Sequence, residues 1–165
     1  MRYHKLKAGE CPGTYVVTEP VTEQDLLRIA NQIARKRLAK GTAITSTTDA
    51  AERLQTLLQG REREVFAVLF LDNQHRVIAL EELFYGTLGT ASVHPREVVK
   101  RALALNVAAL ICAHNHPSGN PEPSQADKHI TQVLRDALAL VEVRLLDHLV
   151  VGAEGVTSLA ERGVL

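Results

Sequence analysis

The sequence has few of the features that mark secreted or membrane-spanning proteins. Its 165 residues include only two cysteines, Cys11 and Cys112, and no tryptophan. Small secreted domains usually carry several paired cysteines, so this scarcity favours a reducing cytoplasm. The first residues lack the apolar run of a signal peptide, and no stretch reaches the ~20 apolar residues that cross a membrane. We therefore expect a soluble cytoplasmic protein with no membrane partner.

An excess of either charge is also missing, because 19 basic residues balance 19 acidic ones. No overall field therefore attracts the chain to nucleic acid or to anionic lipid. A basic run lies within residues 35–40, and a solvated helix face is its favoured interpretation. The hydrophobic residues, 45% of the chain, are sufficient to bury the core of one domain.

Hydrophobic spacing predicts helices that alternate with strands. Helices are predicted after a capping box formed by Thr22 and Asp25, over residues 46–60, from Pro95, and through residues 130–141. Leu26 and Leu103 are placed on the buried faces of the first and third of these helices. Apolar runs predict strands at residues 65–72, 76–86, 107–113 and 143–152, the first two as a hairpin. This pattern predicts an α/β (α+β) domain with a mixed sheet.

The segment AHNHPSGNPEPSQAD, residues 113–127, concentrates potential metal ligands. His114 and His116 lie at positions i and i+2 of a strand end, so both can face one point. A proline-rich turn then leads to Ser124, which opens a helix whose first turn carries Asp127. Two imidazoles and one carboxylate suit Zn²⁺ and leave a fourth position for water. Alternatively, Ser124 and Asp127 are only a helix cap, and the histidines are ordinary polar residues.

The spacing His-x-His, seven residues, Ser-x-x-Asp resembles the signature of JAMM (MPN/JAB1) metalloprotease-like domains. Further segments, including LFLDNQHRVIALEELFYGTLGTASVHPREVVKRAL and LLDHLVVG, are similar to the bacterial RadC family, from about Glu62 to the C-terminus. The resemblance implies a JAB1/MPN-like fold, with a mixed sheet flanked by helices in a cytidine-deaminase-like architecture. It also divides the chain into an N-terminal helical extension, residues 1–60, and a JAMM domain, residues 61–165.

The resemblance further implies a zinc ion bound by His114, His116 and Asp127, with Ser124 donating a hydrogen bond to the bound water or to the oxyanion. It also implies an upstream glutamate as general base, and the segment Glu64-Val65-Phe66 resembles the family pattern for that residue. From the residues alone, Glu64 is equally well explained as one member of the charged run RERE. Glu81 and Glu82 are rival candidates, and they point to opposite faces of their strand.

Two residues near the motif are interpreted as structural. Cys112 precedes His114 by two positions, and a free cysteine in an apolar strand is usually a small core residue. His148, beside Asp147, could orient a metal ligand, but an ordinary strand histidine with satisfied hydrogen bonds is the favoured interpretation.

The resemblance implies a zinc-dependent hydrolase that cleaves an amide or isopeptide bond in an unknown protein or peptide substrate. The alternative is a RadC-like DNA repair or recombination factor that acts through DNA or a partner. DNA binding has little support, because the charge is balanced and the first sixty residues contain no clear helix-hairpin-helix. The substrate and the oligomeric state are left open by the sequence.

Overall fold

The structure is a computed structural model that describes Tyr3, residues 5–86 and residues 92–165. The elements, in chain order, are β1 (Leu6–Ala8), β2 (Tyr15–Val17), α1 (Glu23–Arg37), α2 (Thr47–Leu58), β3 (Val65–Leu71), β4 (Val77–Tyr85), α3 (Pro95–Ala104), β5 (Ala109–Asn115), α4 (Gln125–Ala139), β6 (Arg144–Gly152) and β7 (Gly155–Ser158).

Five strands form one mixed sheet in the order β4-β3-β5-β6-β7. The pairs β3–β4, β3–β5 and β6–β7 are antiparallel, whereas β5 and β6 run parallel. Helix α4 makes the crossover between the two parallel strands, as parallel neighbours require. The sheet confirms the predicted α/β class, and the β3–β4 hairpin confirms the predicted pairing.

Helices cover both faces of this sheet. Alternate residues of β3 enter different core clusters, with Ala67 and Leu69 packed with α2 and the end of α1. Phe66 and Val68 pack on the other face with α3 and α4. All seven residues of β3 are therefore buried, which is what its unbroken apolar run predicts.

Two predicted core positions are wrong. Leu26 is 52% exposed and Leu103 is 55% exposed. Helix α1 turns Asp25 inward, where its carboxylate accepts hydrogen bonds from Lys5 and the Thr22 backbone, so Leu26 is rotated by about 100° away from that face. In α3 the buried face follows Val98 and Ala102, and Leu103 lies one residue beyond it.

Three short strands were not predicted from the sequence. β1 and β2, which precede α1 in the chain, pair with each other as a separate antiparallel sheet. β7 extends the main sheet beside β6. Each has only three or four residues, too few for a period of two to be visible.

The division of the chain at residue 60 stays a prediction. Helix α2 lies before that residue, yet its Leu54, Leu57 and Leu58 are buried against the sheet that lies after it. A membrane-spanning helix would have to be long and apolar, and none of the helices in the described residues has both properties.

Candidate metal site

The end of β5 presents two imidazoles to one side of the sheet. His114 is the sixth residue of this strand and is buried, and the partly exposed His116 follows directly after the strand. Asn115, between them, faces the opposite side because side chains alternate along a strand. The predicted pairing of the two histidines is therefore confirmed, with their Nε2 atoms 3.0 Å apart.

The proline-rich loop folds back over the end of the sheet. The His116 amide donates to the carbonyl of Val151, and Gly119 continues the turn with a φ of +86° that favours glycine. The loop lies so close to Gly152 that a Cβ there would stand 2.2 Å from the Gly119 carbonyl oxygen. This close contact holds the loop against the strand end and directs the chain into α4.

Helix α4 begins with a capping box that also builds the site. The Ser124 hydroxyl oxygen accepts from the Asp127 amide at 3.1 Å, and Asp127 Oδ2 accepts from the Ser124 amide at 2.7 Å. The cap fixes the Asp127 carboxylate on the first turn, where it faces both imidazoles. The helix cap is thus present, and its geometry is compatible with the predicted role of Asp127 as a metal ligand.

Three potential ligand atoms converge at this point. Asp127 Oδ1 lies 3.3 Å from His114 Nε2, and Asp127 Oδ2 lies 3.5 Å from His116 Nε2. The two imidazole nitrogens are 3.0 Å apart, and one ligand atom from each of the three residues lies within 4.8 Å of the other two. A tetrahedral ion with bonds of about 2.0–2.1 Å has ligand atoms about 3.3–3.4 Å apart. The three side chains are therefore close enough to bind one ion after small movements.

Hydrogen bonds behind the imidazoles determine which nitrogen of each ring is protonated. His116 Nδ1 lies 2.9 Å from the Asn120 carbonyl, which can only accept, so this nitrogen carries the proton. His114 Nδ1 lies 2.9 Å from His148 Nε2, and His148 Nδ1 lies 2.6 Å from Thr131 Oγ1.

Thr131 completes this assignment, because its hydroxyl donates to the Asp127 carbonyl at 2.5 Å. The Thr131 oxygen then accepts from His148 Nδ1, and His148 Nε2 accepts from His114 Nδ1. This is the arrangement in which each contact along the relay is a hydrogen bond. When both imidazoles are neutral, His114 and His116 therefore turn an unprotonated Nε2 toward Asp127, as metal ligation requires.

The electrostatics of the site favour positive charge. In its protonated form His116 can donate a hydrogen bond to Asp127, which raises the pKa of His116 above its ordinary value, and the Glu64 carboxylate contributes to the rise. Burial alone would raise the pKa of Asp127, but hydrogen bonds from the protonated imidazoles of His114 and His116 and from Ser124 outweigh it and hold that pKa far below its usual range. Burial also lowers the pKa of His148 well below its ordinary value, so this histidine is neutral. A cation among the three ligands meets these conditions.

The three ligands line an open cleft of about 670 Å³. Glu64 and Ser124 also line it, together with the apolar side chains of Phe66, Val93, Ala126 and Ile130. Glu64 directly precedes β3, whose Phe66 pairs with His114. The Ser124 hydroxyl donates to Asp127 Oδ2 at 2.7 Å. The roles of Glu64 as base and Ser124 as donor stay predictions, and both residues line the same cleft as the three predicted ligands.

The two rival glutamates line a different cavity. Glu81 accepts two hydrogen bonds from the Arg101 guanidinium, one of them at 2.7 Å. Glu82 is bound by Arg61 and by the Tyr85 hydroxyl. As predicted from their adjacency, the two carboxylates lie on opposite faces of β4, opposite Val68 and Ala67 of β3.

Three residues near the ligands have structural roles that the sequence analysis missed or ranked lower. His148 lies in a strand with partners for both ring nitrogens, as predicted, and one partner is His114, so a role in orienting that predicted ligand stays a prediction. Thr131, in α4, contacts His148 through its hydroxyl group. It is a polar residue within the apolar stripe of the helix, four residues after Asp127, and this position could have indicated a role near the site. Asn115 binds the backbone at the start of β3 and directly before it. Cys112 is fully buried in the core, as predicted.

His148 provides a test of the hydrogen-bond relay behind His114. Replacing His148 with phenylalanine removes the acceptor for His114 Nδ1, so we expect the zinc affinity to fall by about 10–100-fold. The affinity is measured by competition with a chromophoric chelator. The matched control is Cys112→Ala, which changes a buried neighbour on the adjacent strand without touching a ligand. Equal affinities of the folded His148→Phe variant and this control would contradict the assigned role.

Known proteins are similar to this chain over most of its length. The family model described as "RadC-like JAB domain" matches residues 44–164. A UPF0758 protein of Vibrio cholerae is 54% identical over 151 residues, which cover 92% of this chain and 95% of that protein.

Longer relatives match as well. A UPF0758 protein of Thioalkalivibrio sulfidiphilus is 58% identical over 142 residues, and one of Methylibium petroleiphilum is 59% identical over 140 residues. The matches cover 86% and 85% of this chain but only 63% of either relative.

Proposed function

Since the chain belongs to the RadC-like JAB domain family, we propose that it is a zinc-dependent hydrolase that cleaves an amide or isopeptide bond. The observation that carries this proposal is the convergence of two imidazole nitrogens and one carboxylate at the wall of an open cleft. Three protein ligands with an open fourth position are typical of catalytic zinc sites, whereas structural sites use four.

Zinc held by His114, His116 and Asp127 would polarise a substrate carbonyl and favour ionisation of a water near neutral pH. The protein supplies the proton transfers. Glu64, on the wall of the same cleft, accepts a proton from the attacking water and passes it to the leaving amine. Its negative charge already acts on His116, which supports a position near the ligands.

Ser124 has two roles in this proposal. Its backbone and hydroxyl hold the Asp127 carboxylate in place through the capping box. The hydroxyl proton can also rotate from Asp127 Oδ2 toward an oxyanion in the cleft, because a serine hydroxyl turns freely about its Cβ–O bond. The apolar walls formed by Phe66, Val93 and Ile130 favour the hydrocarbon part of a peptide over a highly charged ligand.

A peptide library tests this function without knowledge of the natural substrate. The zinc-loaded protein is incubated with a proteome-derived peptide mixture supplemented with lysine-branched isopeptides, and new termini are identified by mass spectrometry. We expect the zinc-loaded protein to cleave some of these peptides. We expect no cleavage after a chelator has removed the zinc. Zinc-loaded protein that leaves every linear and branched peptide intact would contradict the proposed activity.

The alternative role, a DNA repair or recombination factor, stays a prediction from the sequence resemblance. A gel shift at physiological salt tests it, because phosphate-driven binding weakens steeply as salt rises. DNA binding that survives at this salt concentration, in a protein without cleavage activity, would favour the alternative.

A further inference from the structure

The side chain of Asn115 holds the backbone that carries Glu64. This residue lies between the two ligand histidines, is 1% exposed and faces away from the cleft. Its Oδ1 accepts a hydrogen bond from the Val65 amide at 2.8 Å. Its Nδ2 donates to the carbonyls of Arg63, at 3.1 Å, and Arg61, at 3.3 Å. One amide group therefore binds three backbone groups in the segment 61–65.

These contacts extend the sheet beyond its regular pairing. The β3–β5 ladder ends at the pair Phe66 and His114. Beyond that pair the Asn115 amide takes the place of strand backbone, because it offers both an acceptor and donors. On the other side, the Glu64 carbonyl accepts from the Gly86 amide at 2.9 Å. The backbone of Glu64 is thus held between β5 and the end of β4.

We propose that Asn115 is a positioning residue, which fixes the Glu64 carboxylate relative to the ligand pair on either side of Asn115. This inference rests on the proposed function, in which Glu64 is the base. The hydrogen bonds of Asn115 connect β5, the strand that contains His114 and directly precedes His116, to the segment that carries Glu64. A movement of that segment away from β5 would therefore break these hydrogen bonds. A displacement of about 1 Å at a reacting group can cost about 100-fold in rate.

The chemistry of the three hydrogen bonds makes asparagine hard to replace. Asn115→Ala removes the acceptor and both donors. Asn115→Asp keeps the acceptor but places a carboxylate oxygen against the carbonyls of Arg61 and Arg63, which repels both. Both variants keep His114 and His116 and their hydrogen bonds to His148 and Asn120, so we expect the zinc affinity to stay within about threefold while the catalytic rate falls by about 100-fold.

The experiment combines hydrogen exchange with a double-mutant cycle. In zinc-loaded Asn115→Ala, deuterium uptake should rise in the segment 61–66 and stay unchanged in β6 and α4. With a peptide cleaved by the native protein, kcat should fall and KM should stay constant. In a Glu64→Gln background, Asn115→Ala should cause no further loss, because a positioning residue acts through the base.

The matched control is Ser158→Ala, which removes buried hydrogen bonds to Asp147 and Glu161 at a distance from Glu64. It should leave the exchange of residues 61–66 and kcat unchanged. Equal losses of rate from Asn115→Ala with and without Glu64 would overturn the proposal, as would faster exchange in all segments. If the native protein cleaves no peptide, the proposed function is contradicted. Faster exchange confined to residues 61–66 in Asn115→Ala would still support the positioning of Glu64 by Asn115. Unchanged exchange in that segment would refute it.

Discussion

Replacing His116 with alanine should abolish tight zinc binding. The variant keeps only His114 and Asp127 as ligands and loses the contacts of His116 with His114, at 3.0 Å, and with Asp127, at 3.5 Å. Zinc-finger peptides bind zinc by about 10–16 kcal/mol through four ligands, so one ligand contributes about 3 kcal/mol, or about 100-fold in affinity. We expect a loss of at least about this size, measured by competition with a chelator at pH 7.

The matched control for this variant is another histidine. His75 lies in the turn between β3 and β4, at the opposite end of the sheet from the site, with a φ of +54°. Asparagine tolerates that conformation, so His75→Asn should fold and bind zinc like the native protein. Unchanged zinc affinity in His116→Ala would contradict the ligand assignment. Equal losses in the two variants would indicate a general effect of removing histidine.

Replacing Glu64 with glutamine should remove hydrolysis and leave zinc bound. Glutamine has nearly the same size but cannot accept a proton from water, so we expect the rate to fall by about 10²–10⁴-fold. Because Glu64 is not one of the three candidate ligands, the zinc content should stay at the native value. Rates are measured with a peptide that the native protein cleaves, and zinc is measured on the same samples.

Glu62→Gln is the control for Glu64→Gln. Both residues belong to the charged run before β3, but Glu62 is exposed, whereas Glu64 lines the cleft. Glu62→Gln should have native rates. Similar rates in both variants would indicate that Glu64 is only one of several solvated charges. Loss of zinc from Glu64→Gln would indicate that Glu64 binds the metal or holds a ligand in place.

Most of the main sheet could be predicted because each central strand is a continuous apolar run. The caps of α1 and α4 are also visible in sequence, since Thr22 with Asp25 and Ser124 with Asp127 have capping-box spacing. Leu26 shows where this reasoning fails. Its spacing is helical, but the orientation of α1 follows the contact of Asp25 with Lys5, the residue directly before β1, and spacing does not reveal that contact.

The ligand set could be predicted because its members lie within fourteen residues of one another, on one strand end and one helix start. The residues behind it could not. His148 reaches His114 through the parallel pairing of β5 and β6, and Asn115 reaches Val65 across fifty residues of chain. Both contacts depend on strand register, which a single sequence does not specify.

The measurement that tests the central claim most directly is the zinc content of the native protein. After expression in metal-replete medium, the protein is dialysed against buffer with a weak chelator and analysed by mass spectrometry for metals. The site of His114, His116 and Asp127 predicts one zinc ion per chain, lost in His116→Ala. Protein that is folded but free of zinc, and that takes up none when zinc is added, would contradict it.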